Sequence, residues 1–510
     1  MKKSLLLLPL ILFTGVLFSQ DIPAPKLPQG VSMFNQMKAS YDLELKRAIF
    51  EDWLNIDYRY ENFSAGIRYE TFQPNDPSPA ISRGKENYSD IAFKYFTVNF
   101  GSKKTNIEIT AGNYYAMIGR GMILKSYEDR NLRLDNNLLG MLVKVNYANF
   151  RMTALTGTAA NSENERKDFL YLADVEFRGL KWLKAGATFA SNKPDYDQAA
   201  RTDVGALRLQ TSFEGFDGYV EYGLKKNADI QNRIFNSTES FIGKGIYASA
   251  SYYLGDYSLT GEYKLYDNFG FKSNDQTVNY NQPPSTRKDY TYQLFNRHPS
   301  TLDSDNEQGF QIEANANFTS TSSLLLQYSE TKTLGKDSYN QRILGQNLDP
   351  RLRHREVSGQ YSNMWSDDLK TIFAFGYNEE LEENTRNYTG VVDVRYSFDP
   401  VNTLRLIVEH QQTENRTTSA NYFTDVLSLE YLRSPRYSIA WVMEMKTSEP
   451  VPGNTVRLLW NYIQGTIKIG EHTDLSLLAG SRQAGVICIG GVCRYEPEFR
   501  GVELKMVNRF

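Results

Sequence analysis

Cysteine is nearly absent from this chain: its 510 residues include two, Cys488 and Cys493. Both lie in VICIGGVCRY (486–495), where Gly490-Gly491 is flanked by β-branched residues. Gly-Gly is a favoured two-residue hairpin turn, and with it at the tip the cysteines form a non-hydrogen-bonded pair, whose Cα atoms are about 4.5 Å apart. We therefore expect a cross-strand disulfide, which requires an oxidising compartment. Two reduced thiols or a pair of metal ligands are the alternatives, although metal and redox sites usually space their cysteines as CxxC.

Long apolar runs are also scarce, and the one that exists stands at the start of the chain. Residues 1–20, MKKSLLLLPLILFTGVLFSQ, combine two lysines, an apolar core and a small residue, Ser19, which is the pattern of a secretory signal peptide. We expect residues 21–30 to form a short periplasmic segment. No later run approaches the roughly 18 apolar residues of a membrane helix. The formal net charge of −3 argues against nucleic acid as a partner.

Motifs for catalysis and metal binding are missing from the sequence. It contains no HExxH, no nucleophile elbow and no P-loop. The four histidines, His298, His354, His410 and His472, are spread over loops, strand ends and a turn. His410 shares the parity of the apolar residues in LRLIVEHQQ, which would suit a lipid-side Ser–His pair, but a lone histidine near a strand end is more often interfacial. We expect no catalytic residue, no metal site, no cofactor and no enzymatic activity.

Aromatic residues, by contrast, are abundant, with 34 Tyr and 28 Phe, and many bracket tight turns. In LNIDYRY-EN-FSAGIRYE (54–70), a turn at Glu61-Asn62 pairs Tyr60 with Phe63 and places the apolar residues on one face and the charged residues on the other. Hairpins with turns at 148–149, 214–215 and 255–256 follow the same pattern. This pattern predicts a membrane barrel with an aromatic girdle. A soluble β-sandwich or propeller is the alternative, but it would not concentrate aromatics at one set of turns.

The spacing of the connections predicts the size of the barrel. Short connections alternate with longer polar segments, as periplasmic turns alternate with extracellular loops in outer-membrane barrels. Two strands per short turn, plus one at each end of the chain, give about 24 strands, roughly 22 to 26. The expected fold is all-β, a transmembrane antiparallel up-and-down β-barrel over residues 31–510 in the cell outer membrane. Its surroundings would be outer-membrane lipid and lipopolysaccharide.

The last strand carries a further signal. Val502, Leu504, Met506 and Phe510 fall on one face. A C-terminal strand that ends in Phe resembles the signal read by the barrel-assembly machinery of Gram-negative bacteria, and this resemblance implies that Phe510 engages that machinery. With the C-terminus in the periplasm, the cysteine hairpin lies at the extracellular rim.

The face opposite the apolar one would line the lumen, and its charges are mixed in sign. Mixed charges do not predict strong ion selectivity, and such residues can also simply satisfy one another across strands. The predicted lumen-facing residues are Arg59, Arg68, Lys144, Arg208, Glu221, Glu262, Lys264, Glu503, Lys505 and Arg509.

One long loop combines charged and apolar residues. In MIGRGMILKSYEDRNLRLDNNLLG (117–140), Gly119-Arg120-Gly121 permits a tight bend, and the apolar residues need a surface to bury against. We predict an inward constriction loop, with a solvated extracellular loop as the alternative. The charged residues that would line the constriction are Arg120, Lys125, Glu128, Asp129, Arg130, Arg133 and Asp135.

Two stretches, GRGMILKSYEDRNLRLDNNLLG and GVICIGGVCRYEPEFRGVELKMVNRF, resemble a Gram-negative outer-membrane family of unknown function, DUF6029. The resemblance implies a barrel at the cell surface and carries no assigned activity. The sequence itself favours a porin-like channel for small polar solutes. The alternative is a barrel that serves as a scaffold or docking platform for an unknown protein partner in a surface secretion or uptake assembly.

Overall fold

The computed structural model describes residues 27–74, 83, 85, 87–102, 105–194, 200–235, 239–381, 384–447, 458–489 and 492–510. The signal peptide expected at 1–20 lies outside the described residues, as does most of the expected periplasmic segment 21–30. Both therefore stay predictions.

The described chain is built almost entirely of antiparallel strands. Its strands are β1 (Val31–Asp42), β2 (Arg47–Tyr60), β3 (Phe63–Phe72), β4 (Tyr88–Gly101), β5 (Thr105–Tyr114), β6 (Glu128–Asp129), β7 (Leu134–Asp135), β8 (Leu138–Tyr147), β9 (Phe150–Ala159), β10 (Phe169–Phe177), β11 (Leu183–Lys193), β12 (Thr202–Phe213), β13 (Phe216–Asn227), β14 (Gly243–Leu254), β15 (Tyr257–Asp267), β16 (Asn306–Asn317), β17 (Ser322–Lys332), β18 (Leu352–Met364), β19 (Leu369–Glu380), β20 (Thr385–Ser397), β21 (Asn402–Asn415), β22 (Ala420–Arg433), β23 (Tyr437–Lys446), β24 (Leu459–Ile469), β25 (Thr473–Arg482), β26 (Gly485–Ile489), β27 (Val492–Glu496) and β28 (Phe499–Arg509).

Within these described residues, 24 of the strands form one sheet. Each barrel strand pairs with the next one along the chain, and β28 pairs with β1, which closes the sheet into a barrel. The ribbon β6–β7 and the hairpin β26–β27 stand apart as two-stranded sheets. Short helices at Ala228–Ile234 and Tyr339–Ile343 and a 3-10 turn at Leu294–Asn296 lie in the long loops. No helix in the described ranges is both long and apolar enough to cross a membrane.

The tight hairpins have the registers that the sequence predicts. Tyr60 lies opposite Phe63 and Phe213 opposite Phe216. The turns use left-handed backbone at Glu61 (φ 47°) and Glu214 (φ 40°). Because a slip of one residue would exchange the two faces of a strand, these registers fix which side chains point into the barrel.

The barrel is apolar outside and polar inside. Large outward side chains stay exposed, such as Leu207 at 67% and Phe213 at 53% of their maximal area. Inward carboxylates are enclosed, and Glu70, Glu221 and Glu307 have no exposed area. A soluble protein shows the reverse distribution. This apolar exterior matches the hydrocarbon of a lipid bilayer. A closed barrel can lie there because its strands satisfy every backbone hydrogen-bonding group without water.

Candidate functional site

The loop between β5 and β8 (residues 115–137, here the constriction loop) folds into the barrel. Its apolar tip is fully enclosed, with Met122 and Ile123 at 0% exposure, and it packs with Phe269 and Phe271 of another loop in one apolar cluster. Gly119 has φ +55°, and a Cβ there would lie 2.8 Å from a carboxylate oxygen of Glu221 on the wall. Only glycine lets the loop backbone come this close to Glu221 with a positive φ. This is the tight bend that Gly119-Arg120-Gly121 indicated in the sequence.

Ion pairs fasten the constriction loop to the wall of β2 and β3. Glu128 lies 2.6 Å from Arg68, and Arg130 lies 3.2 Å from Glu70. Arg133 reaches Glu51 at 3.3 Å. The guanidinium carbon of Arg130 also lies 4.4 Å from the ring centre of Trp53. The predicted charges therefore hold the loop in place as much as they line it.

Asp135 is a fully enclosed carboxylate of the constriction loop, with no exposed side-chain area. It lies 3.0 Å from Arg83 and accepts a hydrogen bond of 2.9 Å from the Tyr115 hydroxyl. Burial opposes ionisation of Asp135, but the guanidinium of Arg83 and a hydrogen bond from Asn137 outweigh it and hold the pKa of Asp135 below its usual range.

The other predicted constriction residues have different roles. The guanidinium carbon of Arg120 lies 4.5 Å from the ring centre of Tyr219, and it donates to the Tyr247 hydroxyl at 3.0 Å. The Lys125 ammonium lies 4.8 Å from the ring centre of Tyr127, and burial lowers its pKa. Asp129 instead closes a local turn by accepting backbone N–H groups of the same loop.

A second segment enters the lumen, and no pattern in the sequence predicted its inward position. Residues 287–298 of the loop between β15 and β16, here called the strap, cross to the wall of β18–β23. The Leu294 N–H donates to Glu409 at 2.8 Å, and the Gln293 side chain donates to Glu444 at 2.8 Å. The Asn378 side chain donates to the carbonyl of His298 at 3.1 Å.

The two inward loops are joined into one body, here called the plug (residues 115–137 and 268–305). The Lys125 N–H donates to the Tyr280 carbonyl at 2.9 Å, and the Gln282 N–H donates to the Gly121 carbonyl at 3.1 Å. The Asn281 side chain adds a third bond, to the Met122 carbonyl at 3.0 Å. The plug therefore spans the lumen between two opposite parts of the wall.

The predicted lumen-facing residues fall into two groups by depth. Arg68, Arg208, Glu221 and Lys264 are buried behind the plug, and Lys264 forms an ion pair with Glu307. The others lie in more open surroundings: Arg59, Lys144, Glu262, Glu503, Lys505 and Arg509. The lumen is thus filled toward the long loops and open toward the short turns.

The open group contains cross-strand pairs near the short turns. Lys144 lies 2.9 Å from Glu108 on the neighbouring strand. Glu503 is paired with Lys38 at 3.1 Å. Arg509 reaches Asp474 at 2.6 Å. The sequence suggested that such residues satisfy one another across strands, and these three pairs follow that pattern.

Arg208 does not form its ion pairs with the carboxylate directly opposite it. It stands in register with Glu221, yet its guanidinium bonds Asp174 at 2.6 Å and Glu176 at 3.0 Å. Glu221 instead accepts the Tyr219 hydroxyl. Cross-strand register alone does not decide which charges pair.

The cysteine hairpin has the expected register, with Cys488 opposite Cys493 in β26–β27. The side chain of Cys488 lies outside the described residues, so the disulfide stays a prediction. The four histidines do not cluster, and His410 pairs with Asp425 at 2.7 Å on the outer face. The described part of the chain holds no group of three or more His, Cys, Asp or Glu side chains placed to bind a metal ion.

A closed barrel with an apolar exterior, an ionic lumen and a plug of its own loops defines an integral β-barrel protein of the outer membrane. The chain belongs to the family of unknown function DUF6029, whose model matches residues 30–510. A search of curated proteins found no match.

Solved structures of several other proteins are similar to this chain. An E. coli P pilus tip assembly intermediate, PapC-PapD-PapK-PapG, aligns with a TM-score of 0.51 at 10% identity, over 96% of this chain and 63% of that chain. The copper transporter OprC aligns with a TM-score of 0.46 at 10% identity, over 94% and 80%. OccK5 (OpdH) of Pseudomonas aeruginosa aligns with a TM-score of 0.39 at 11% identity, over 75% and 97%. The first of these three has a TM-score above 0.5, and at 10% identity its likeness concerns the fold alone.

Proposed function

We propose that the protein is an outer-membrane channel for small polar solutes, closed at rest by its own plug. The observation that carries the proposal is how the plug is held. Ion pairs and hydrogen bonds anchor it to the wall, as between Arg133 and Glu51 or Leu294 and Glu409, and apolar clusters of plug and wall residues pack beside them. Water can replace the polar contacts when a loop leaves, and burial of the apolar clusters favours the closed position at rest. An ionic lumen that is open toward the periplasm suits polar solutes.

Planar-bilayer conductance tests this proposal. The wild-type barrel should show small or infrequent openings, and deletion of residues 120–136 should give large, stable ones because the apolar tip and its anchors are removed. The control is deletion of Thr417 and Thr418 in the loop between β21 and β22, which form hydrogen bonds with Asn384 and Asn415 and not with the plug, and it should leave the conductance unchanged. A plug deletion that conducts no better than the wild type would reject the constriction role of the loop.

A docking platform is the second candidate function, favoured by the filled lumen at rest. In that case both the wild type and the plug deletion would stay silent, and a defined partner would co-purify with the full-length protein in stoichiometric amount. The conductance of the deletion variant therefore separates the two functions. We propose no enzymatic role.

Lipopolysaccharide is the outer-leaflet lipid that we place against the barrel, at the extracellular ends of β17–β21. There, basic side chains stay exposed by 37–43% near the rings of Tyr377 and Tyr388, whose centres are 5.2 Å apart and whose planes are tilted by 49°. Their carboxylate partners Glu330 and Glu379 are enclosed at 11% and 8%. Guanidinium groups above an aromatic belt suit the phosphates of a glycolipid. The basic residues are Lys332, Arg355, Arg386 and Arg416.

Native mass spectrometry tests this lipid site. The triple substitution Arg355→Gln, Arg386→Gln and Arg416→Gln should reduce the lipopolysaccharide retained on the purified barrel. His410→Gln on the same outer surface is the control and should retain it. Equal retention by both variants would refute the site.

The barrel-assembly machinery is the folding partner that we propose for Phe510. In the folded barrel Phe510 lies at the seam, where its N–H and C=O both bond Met33, each at 2.8 Å. Deleting Phe510 should lower the amount of barrel in the outer membrane. Phe510→Tyr keeps an aromatic end and both backbone bonds, and should restore assembly. A normal level of the deleted form in the membrane would contradict the role.

A further inference from the structure

A polar cavity of about 460 Å³ lies between the constriction loop and the wall of β9–β13. One level row of residues crosses that wall, because each is paired with the next across neighbouring strands. The row reads Arg151, Glu176, Gly186, Arg208 and Glu221. The loop residues Met117 to Arg120 form the opposite side of the cavity.

Gly186 determines which carboxylates the Arg208 guanidinium can reach. A Cβ at Gly186 would lie 2.5 Å from the guanidinium carbon of Arg208. Because glycine has no Cβ, the Arg208 side chain can lie across β11 at this position. Arg208 thereby reaches Asp174 and Glu176. Glu176 also binds Arg178. Both carboxylates that line the cavity are therefore occupied by arginines of the wall.

Three further cations line the same cavity: Arg120, Arg151 and Lys184. Among the described residues, no carboxylate lies within ion-pair distance of their side chains. Arg120 is fixed in place by the Tyr219 ring and the Tyr247 hydroxyl, with its charge at the cavity. With five basic and two acidic side chains in its lining, the cavity carries an excess of positive charge.

We propose that this cavity binds small solutes that carry a carboxylate or phosphate group. The inference rests on the proposed channel function and names the class of solute that the channel selects. A planar guanidinium binds either oxyanion through two hydrogen bonds, and an ammonium adds a mobile charge. The cavity is large enough for a molecule of several carbon atoms. Residues of the constriction loop form one side of the cavity, so a solute that passes this loop comes close to these cations.

Binding can be measured without conductance. The detergent-solubilised full-length protein is titrated by calorimetry with inorganic phosphate and, separately, with succinate. We expect saturable binding of at least one probe and a loss of at least tenfold in affinity in the double variant Arg151→Gln/Lys184→Gln. The matched control is Arg59→Gln/Lys505→Gln, two lumen cations away from the cavity, which should bind like the wild type. Absence of binding to the wild type, or equal binding by the cavity variant, would overturn the proposal.

Conductance then separates the site from the channel. If the protein conducts, a salt gradient should give a reversal potential of anion preference, and Arg151→Glu/Lys184→Glu should shift it toward cations. Conductance with cation preference would reject the anion site and keep the channel. Probe binding without any conductance would keep the site and reject the channel.

Discussion

The carboxylate of Glu409 on β21 accepts the backbone N–H of Leu294 at 2.8 Å, although the two residues are 115 positions apart in the sequence. Its other oxygen accepts the Gln293 N–H at 3.1 Å. A single wall side chain thus fixes the turn at the tip of the strap. We expect the strap to leave the wall, and the channel to open, when these two hydrogen bonds are lost.

Glu409→Ala should release the strap. Each hydrogen bond to a charged acceptor contributes about 1.5–3 kcal/mol, so losing both should raise the population of the undocked strap by more than tenfold. Single-channel recording should show more frequent openings. Glu108→Ala is the matched control, because it removes another inward glutamate that pairs with Lys144 and touches no part of the plug. Identical gating in both variants would mean that the strap does not gate.

The pH response of the constriction loop should follow Asp135, whose pKa is held below its usual range. A depressed pKa contributes stability above the unfolded value of about 3.9, which is lost as the pH falls through the folded value. The fluorescence of Trp53, which lies under Arg130, should therefore stay flat from pH 8 to about 4 and change only below. The signal is taken as the difference between wild type and Trp53→Phe.

Substitution of Asp135 gives the matching test. Asp135→Asn should alter the Trp53 signal at neutral pH, since it removes the charge that Arg83 holds. Asp129→Asn, in the same loop but facing a local turn, should leave it unchanged. A transition of the wild type between pH 5 and 7 would contradict the assignment.

The cysteine pair should be oxidised in the native protein. Maleimide should label neither Cys488 nor Cys493 in the denatured protein until a reductant is added, and then both. The double variant Cys488→Ser/Cys493→Ser should keep the heat-resistant mobility of the folded barrel, because β26–β27 form a sheet of their own. Labelling without a reductant would show free thiols.

Gly186→Ala should destabilise the barrel through Arg208. The new Cβ would displace the guanidinium from Asp174 and Glu176, and disrupting a buried ion pair costs about 3–5 kcal/mol. The unfolding temperature in detergent should fall by several degrees. Anion binding should weaken because the carboxylates of Asp174 and Glu176 lose their arginine partner. Gly205→Ala on the neighbouring strand is the control, since the nearest atom to its Cβ is 3.8 Å away.

The prediction of the constriction loop shows how far the sequence could be taken. Apolar residues among charges, after Gly119 and Gly121, indicated a loop that buries inside the barrel. In the structure Met122 has no exposed area, and that the loop constricts a pore stays a prediction. The ion pairs that hold this loop to the wall could not be predicted in the same way. The partners of Arg130 and Arg133 are Glu70 and Glu51, on strands more than fifty residues away, and no local pattern connects them.

The sequence by itself determined the barrel: its strand number, the register of its hairpins, and which face of each strand meets lipid. Period-two alternation and tight turns are local, so they survive without knowledge of the rest of the chain. Only the tertiary structure decided what fills the lumen. The position of the strap depends on the closed barrel, because closure brings distant parts of the wall within reach of one loop. The partners of Arg208 depend on it as well, because the absence of a Cβ at Gly186 lets the guanidinium reach Asp174 and Glu176.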